Sequence, residues 1–230
     1  MNTNALKKSA AIEAVKYVQS NQILGLGTGS TVFFVLEELS KKIKSGELKN
    51  IKGISSSNHT SELAVKFGIP LSSLDENPSI DLNIDGADEV DKELNLIKGG
   101  GGALLKEKII AQASKKNIFV VDETKVSNIL GEKFFLPVEV IPFSTNSVIE
   151  FLKKMNLNPK PRIVDGNYFV TDQKNIIIDL YCGKIPDPQK LSSILNERAG
   201  IVEHGLFIGL TDIIIVGRRT GVETIHGLKF

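Results

Sequence analysis

This 230-residue chain predicts an α/β fold with a mostly parallel sheet, followed by a smaller α+β unit. Three observations carry that expectation. Up to about Phe134, short apolar runs ending in glycine or acidic residues alternate with stretches of helical period. Beyond that point the rhythm changes to extended runs around a hairpin turn. Near the end, Asp212-Ile213-Ile214-Ile215-Val216-Gly217 is an apolar strand able to rejoin the first sheet.

The elements follow in order. Ala5, Ala10, Ala11, Ala14, Val15 and Val18 recur near helical period, so residues 4–20 read as an amphipathic helix. Gln22 to Leu26 is a strand ending in a glycine loop, and Ser30 to Lys44 a helix. Ile51 to Ser55 is a second strand, with a Ser/Asn-rich turn and a helix through Phe67 after it. Ile69 to Leu74 reads as short and extended, and Ile80 to Asp85 as a core strand with acidic residues at its end. Ala103 to Ser114 is helical and Asn117 to Val121 a strand. Strands alternating with helices place helices on both faces of a parallel sheet. After the change of rhythm, Glu139-Val140-Ile141-Pro142 ends a strand and Thr145 to Met155 forms a helix. Arg162-Ile163-Val164 and Tyr168-Phe169-Val170 flank the turn Asp165-Gly166-Asn167. Asn175 to Leu180 is a strand, Pro188 to Asn196 a short helix, and Ile201-Val202-Glu203 a closing strand. This βα-hairpin-βαβ order suggests a ferredoxin-like unit.

Composition narrows the function. With Lys+Arg 28 against Asp+Glu 27, the net charge of +1 offers no field for a polyanion, which disfavours nucleic acid. A single cysteine, Cys182, suits a reducing compartment, and His59, His204 and His226 show no metal-ligand spacing. No apolar run reaches the roughly 20 residues needed to span a bilayer, and the first residues lack the apolar core of a signal peptide. The expectation is a cytoplasmic protein with no membrane or nucleic-acid partner.

Four stretches carry chemistry. Gly25-Leu26-Gly27-Thr28-Gly29-Ser30-Thr31 joins a strand to a helix. Ser30 stands where a dinucleotide fingerprint has its third glycine, and Ile54-Ser55-Ser56-Ser57 lacks the ribose-binding acid. No Gly-Lys-Ser/Thr follows, so it is not a P-loop. The loop reads either as a hydroxyl-rich anion nest, with Thr28, Ser30 and Thr31 donating beside free N–H groups, or as a tight capped turn. Asp85-Gly86-Ala87-Asp88-Glu89 follows the third core strand, where ligands bind open α/β sheets. Its carboxylates suit sugar hydroxyls, a proton shuttle, a hard cation or simply an acidic turn. Lys98-Gly99-Gly100-Gly101-Gly102 opens a helix whose N–H groups and dipole favour anions. An ammonium from Lys98 or Lys125 could neutralise a phosphate or an enolate oxygen there, or be a solvated charge. Glu107 lies one to two turns into that helix, within roughly 60° of Leu104 and Ala111, on the arc that should face inward. Burial would raise its pKa and suit a general base, while the helix dipole and Lys98 would lower it.

In order and spacing these stretches, with Ser55-Ser56-Ser57 and Val121-Asp122-Glu123-Thr124-Lys125, resemble type A ribose-5-phosphate isomerases over essentially the whole chain. The resemblance implies a Rossmann-like three-layer αβα catalytic domain, residues 1–133 plus 205–230. A smaller α+β lid and oligomerisation domain, residues 134–204, accompanies it. It also implies a homodimer or dimer of dimers that interconverts ribose 5-phosphate and ribulose 5-phosphate without cofactor or metal. By the family's pattern Glu107 accepts the proton, and Asp85 and Lys98 complete the catalytic set. Thr28, Gly29, Ser30, Thr31, Asp85, Gly86, Ala87, Asp88, Lys98, Gly99, Gly100, Gly101 and Lys125 line the sugar-phosphate site. Lys7 resembles a basic position that reaches the phosphate in relatives. An amino-sugar-phosphate deaminase on the same architecture would favour a ring-opening histidine near the base, and none accompanies Glu107.

Overall fold

The computed structural model describes residues 2–227. In chain order it contains α1 (Thr3–Val15), β1 (Ile23–Leu26), α2 (Ser30–Lys44), β2 (Lys52–Ser55), α3 (Asn58–Phe67), β3 (Leu82–Gly86), β4 (Glu89–Val90), β5 (Leu96–Ile97), α4 (Leu104–Ala113) and β6 (Asn117–Asp122). There follow β7 (Leu136–Val140), α5 (Thr145–Lys154), β8 (Pro159–Pro161), β9 (Ile163–Val164), β10 (Asn167–Tyr168), β11 (Ile176–Leu180), α6 (Pro188–Asn196), β12 (Ile201–His204), β13 (Leu206–Phe207), β14 (Ile213–Arg218) and β15 (Gly221–His226). Contacts divide the chain into two units. One comprises Met1–Ala87, Lys106–Lys125 and Leu210–Phe230, the other Asp88–Leu105 and Val126–Gly209.

The first unit is built on a six-stranded sheet, β15-β14-β6-β3-β1-β2. Counting from β2, its first four pairings are parallel, and β15 closes the far edge antiparallel to β14. Strand alternation sorts side chains between two faces. Leu24, Leu26, Ile84, Ile118 and Ile215 pack with Ala10, Ala14, Val35 and Leu36 of α1 and α2. The intervening Gly25 faces the other way, where a Cβ would lie 2.6 Å from Ile110 of α4. Helices therefore cover both faces, as the alternation of elements predicts.

Local chemistry sets the helix ends. Asn2 caps α1 by accepting from the Ala5 N–H. That helix stops at Val15, short of the expected residue 20, because Tyr17 and Val18 bond back only three residues, to Ala14 and Val15. Asn21 then takes a positive φ of 68°. Ser57 caps α3, and Gly68, at φ 76°, ends it in the left-handed conformation. The extended segment expected over Ile69–Leu74 is reduced to a single bridge between Gly53 and Leu71.

In the second unit a four-stranded antiparallel sheet runs β12-β7-β11-β8. Its apolar core joins Leu136, Val138, Val140, Ile176, Ile178 and Leu180 to Val148 and Leu152 of α5 and Leu195 of α6. In strand-number terms the chain order β7-α5-β8-β11-α6-β12 gives the spatial order fourth, first, third, second. The β9–β10 hairpin turns on Asp165 and Gly166, at φ 50° and 78°, the two positive values such a turn needs. Asn167, expected in the turn, is instead the first residue of β10, paired with Val164. A three-stranded ribbon, β13-β5-β4, completes this unit.

Candidate active site

Three adjacent parallel strands, β1, β3 and β6, end at one edge of the first sheet. The expected residues of this unit cluster at that edge. The loop after β1 holds Thr28 and Gly29, β3 ends with Asp85 and Gly86, and a single 3₁₀ turn after β6 ends at Lys125. Parallel strands carry these groups to the same side because all their carboxyl ends point that way.

Asp85 is 1% exposed. Its Oδ1 accepts from the Thr28 N–H at 3.0 Å and the Gly86 N–H at 2.7 Å. The carboxylate occupies the space a side chain would need at Gly27, where a Cβ would sit 2.0 Å from Oδ1. Gly29 heads α2 at φ 111°, a conformation that L side chains rarely adopt. Ser30 and Gly29 are exposed, and Thr31 is buried. Lys7 of α1 reaches this loop, its Nζ donating to Ser30 Oγ at 2.9 Å.

Thr28 differs from the expectation of a hydroxyl aimed at an anion. Its Oγ1 lies 2.7 Å from Ser56 Oγ, 2.8 Å from Ser57 Oγ and 3.2 Å from Thr60 Oγ1. Thr60 Oγ1 in turn donates to the Gly27 carbonyl at 2.8 Å. The β1–α2 loop thus rests on a cluster of four neutral hydroxyls. Ser56 and Ser57 were visible as part of a serine run, whereas Thr60, a helical residue three positions on, carried no signal of its own.

Glu107 is 5% exposed on α4, so the inward arc predicted from helical spacing is the one it occupies. The direction of α4 fixes its height. Ala113, at the helix end, accepts from the Ile80 N–H, beside the start of β3. Hence α4 runs against the strands, and Glu107 lies roughly 9 Å back toward their carboxyl ends. Lys108 beside it is also buried, at 6% exposure. In the same unit the Asp122 carboxylate, 1% exposed, accepts from Thr124 N–H at 3.0 Å and shapes the turn that ends at Lys125.

The second unit holds the other expected residues. Lys98 is 2% exposed, with its Nζ 5.6 Å from the Phe207 ring centroid and its N–H donated to the Gly205 carbonyl. A buried ammonium is the opposite of the solvated charge an isolated lysine would usually be. Asp88 Oδ2 accepts from the Gly100 N–H at 2.7 Å. Gly99 and Gly102 take φ 98° and 78°, so the glycine run is a shaped loop before α4, closed by the Gly102 N–H on the Gly99 carbonyl. Room is lacking at three of these glycines, at Gly99 because a Cβ would lie 2.8 Å from Leu104. A Cβ at Gly100 would meet Asp88 at 2.7 Å and one at Gly102 would meet Phe169 at 2.3 Å. Gly101 is exposed, and Gly86, Ala87 and Asp88 are half-buried.

Sequence reasoning did not find Arg162. Its Nη1 donates to the carbonyls of Gly99 and Gly100 at 3.1 and 3.0 Å. Its other edge forks onto Asp179, at 2.9 Å and 2.5 Å. Nor do the described residues include any cluster of three His, Cys, Asp or Glu side chains able to hold a metal ion. No helix among them is long and apolar enough to cross a membrane.

Comparison with known proteins places the chain among the sugar-phosphate isomerases. The family model of ribose 5-phosphate isomerase A (phosphoriboisomerase A) matches residues 52–221. Ribose-5-phosphate isomerase A of Desulfatibacillum aliphaticivorans is 50% identical over 221 residues, 96% of this chain and 96% of that one. The enzyme of Limosilactobacillus reuteri is 46% identical over 98% of this chain and 99% of its own. The solved ribose 5-phosphate isomerase of Plasmodium falciparum superposes with a TM-score of 0.94 at 41% identity, covering 99% and 100% of the two chains. A further D-ribose-5-phosphate isomerase, solved in complex with phospho-erythronic acid, gives a TM-score of 0.96 at 41% identity over 98% of this chain and 100% of that one. The chain belongs to the ribose 5-phosphate isomerase A family. Its activity is the interconversion of ribose 5-phosphate and ribulose 5-phosphate, a step of the pentose phosphate pathway.

Proposed function

We propose that Glu107 is the group that moves hydrogen between C1 and C2 of the sugar phosphate. The open-chain aldose loses its C2 proton to the Glu107 carboxylate, and the electron pair passes toward the carbonyl to give a cis-enediolate. The same proton is returned to C1 while the proton of the C2 hydroxyl passes to the oxygen on C1, leaving the ketone at C2. The observation that carries this reading is the burial of Glu107 on a helix whose amino end lies toward the carboxyl ends of the strands. A carboxylate out of bulk water keeps the proton it has taken instead of losing it to solvent.

The other expected residues take supporting roles. Asp85 exchanges a proton with the ring-associated oxygen during opening. Asp88 positions the sugar and holds the Gly100 N–H, while Lys98 and the remaining N–H groups of the Gly99–Gly101 loop stabilise the oxygens on which charge develops; one such donor can contribute about 3–4 kcal/mol in the transition state. Thr28, Gly29, Ser30, Thr31, Gly86, Ala87 and Lys125 complete the substrate set, with Lys7 joining them through Ser30. The phosphate supplies remote binding energy that holds C1 and C2 against the base. Phospho-erythronic acid, bound by a relative, likewise combines a phosphate with a carboxylic acid.

We also read the parallel-sheet unit as Rossmann-like, residues 1–133 plus 205–230, and residues 134–204 as a ferredoxin-like lid and oligomerisation domain. The strand order fourth, first, third, second supports the latter. A homodimer or dimer of dimers in the cytoplasm is the assembly we expect, and the full exposure of Phe143 and half-exposure of Ile141 support it. Light scattering of the purified chain measures that assembly.

The test is Glu107→Gln assayed by ketose formation from ribose 5-phosphate. The expected result is a fall in kcat of roughly a thousandfold with KM changed only a few-fold. With substrate carrying deuterium at C2, the parental protein should deliver part of that label to C1 of the ketose and the variant should not. Near-normal turnover by a folded Glu107→Gln protein would overturn the assignment.

A further inference from the structure

We infer that Arg162 is a positioning residue for the reaction: its guanidinium fixes the direction of the peptide groups in the Gly99–Gly101 loop, and through them the donor that loop offers to substrate. The inference rests on the reading that this loop contacts the sugar phosphate.

Glycine is the residue least able to hold a fixed backbone, and this loop has four in a row. Something outside the loop must select one conformation. Arg162 does so from the rear, by donating from a single nitrogen, Nη1, to two successive carbonyls, Gly99 at 3.1 Å and Gly100 at 3.0 Å. In a planar trans peptide the C=O and the following N–H point in opposite directions. Anchoring the Gly99 carbonyl therefore aims the Gly100 N–H away from Arg162, and that N–H is the one Asp88 receives at 2.7 Å. Anchoring the Gly100 carbonyl aims the Gly101 N–H away from Arg162 in the same manner, at the exposed residue of the run. A cation on each carbonyl also polarises the peptide and makes its N–H a stronger donor.

Arg162 is itself held on every side. Nε and Nη2 fork onto Asp179 in β11, and the two side chains are only 11% and 7% exposed. The guanidinium lies 5.7 Å from the ring centroid of Phe135 and 5.6 Å from that of Phe169. Phe169 also fills the space beside Gly102, so one aromatic ring touches both the brace and the loop. The Arg162 N–H is bonded to Ile177 and its carbonyl to Phe169. Only a planar group with donors on two edges can serve Asp179 and two carbonyls at once, a geometry that a lysine ammonium cannot reproduce.

The experiment compares R162K, D179N and E107Q in kcat, KM and thermal midpoint, with ribose 5-phosphate as substrate. R162K keeps the charge and loses the fork. Its kcat should fall roughly thirtyfold at temperatures where it is fully folded, with KM within about threefold, because the misaimed donor acts on developing charge more than on bound substrate. D179N, isosteric, should lower kcat in the same direction, and the double variant should be no worse than R162K alone. A folded R162K with kcat within twofold of the parent overturns the inference, as does a loss of activity that only follows the loss of folded protein. If R162K does not accumulate in folded form, D179N decides by the same criteria. Should E107Q be inactive while R162K is unimpaired, the inference about Arg162 alone fails. Should E107Q turn over normally, the reading of the site fails and takes this inference with it.

Discussion

The two glycine loops of this chain hold their shape by different means. The loop of Gly27, Thr28 and Gly29 rests on neutral hydroxyls, Thr28 with Ser56, Ser57 and Thr60. The loop of Gly99–Gly102 is gripped by charges, with Asp88 on one amide and Arg162 on two carbonyls. Hydroxyls rotate and can exchange partners at little cost, because each is both donor and acceptor. Carboxylate and guanidinium cannot trade roles, and a charge-assisted bond is roughly twice as strong as a neutral one. A loop built the first way tolerates adjustment around an anion, whereas one built the second way presents a fixed set of donors.

The largest effect that would break this comparison is steric. Gly27→Ala would drive a methyl group to within 2.0 Å of the Asp85 carboxylate, and Gly102→Ala would drive one to within 2.3 Å of the Phe169 ring while keeping a φ of 78°. Each should cost about 1–3 kcal/mol in a urea melt. Gly27→Ala should also lower kcat by more than a hundredfold, since it displaces Asp85. Adding Phe169→Leu should recover part of the Gly102→Ala loss, whereas no neighbour of Gly27 can be trimmed without removing Asp85 itself. If Gly27→Ala proves harmless, Asp85 does not need its present position.

A smaller effect sharpens the contrast. Thr28→Val removes the hub of the hydroxyl cluster without changing shape. Of the remaining hydroxyls, Ser57 still donates to Thr60 and Thr60 to the Gly27 carbonyl, while Ser56 loses its Thr28 partner. The expected loss is about 1 kcal/mol by chemical denaturation. A loss of several kcal/mol would mean that the cluster is as rigid as the charged loop.

The smallest expected effect is one of pH. Burial pushes the carboxyl of Glu139 above the usual 4.5, against two hydrogen bonds, from Thr171 and Asn175, that pull it down. A folded state that binds the proton more tightly than the unfolded chain is favoured below the ordinary value and loses that advantage as pH rises through the folded one. Glu139→Gln should remove this dependence. The urea midpoint of the parent should therefore fall relative to the variant's as pH rises from 4.5. A gap that is constant with pH would show that Glu139 does not titrate on unfolding. The hydroxyl cluster of the other unit has no such group, so its variants should show no comparable slope.

Much of this was legible along the chain, and the exceptions share a cause. The Ser30–Lys44 helix follows from an amphipathic run that begins after a glycine and ends in basic residues. The inward arc of Glu107 follows from helical angle alone. The two-residue turn at Asp165-Gly166 follows from the residues that accept positive φ. By contrast β15, largely exposed along Gly221–His226, has no apolar alternation to announce it, since an edge strand packs on only one neighbour. The pairs β4, β5 and β13 are two residues each, and only tertiary pairing defines them. The end of α1 was overestimated because Val18 remains buried after the helix has stopped. The Arg162–Asp179 pair spans 17 residues and the Arg162–Gly99 contact 63, distances over which no local pattern operates.

One further consequence lies in the place of β14 within its sheet. It pairs with β6, and the Asn117 N–H there donates to Asp212, 95 residues later in the chain. Helix α1 lies against the same strand, so closely that a Cβ at Gly217 would come 2.1 Å from the Leu6 carbonyl. A ribosome therefore releases the first helix long before it releases the surface that covers it. Through most of synthesis Leu6 and its neighbours stay uncovered on that side, while residues 126–209 already have their own strands and helices at hand. Strand β14, made late, seals the helix α1 that was made well before it.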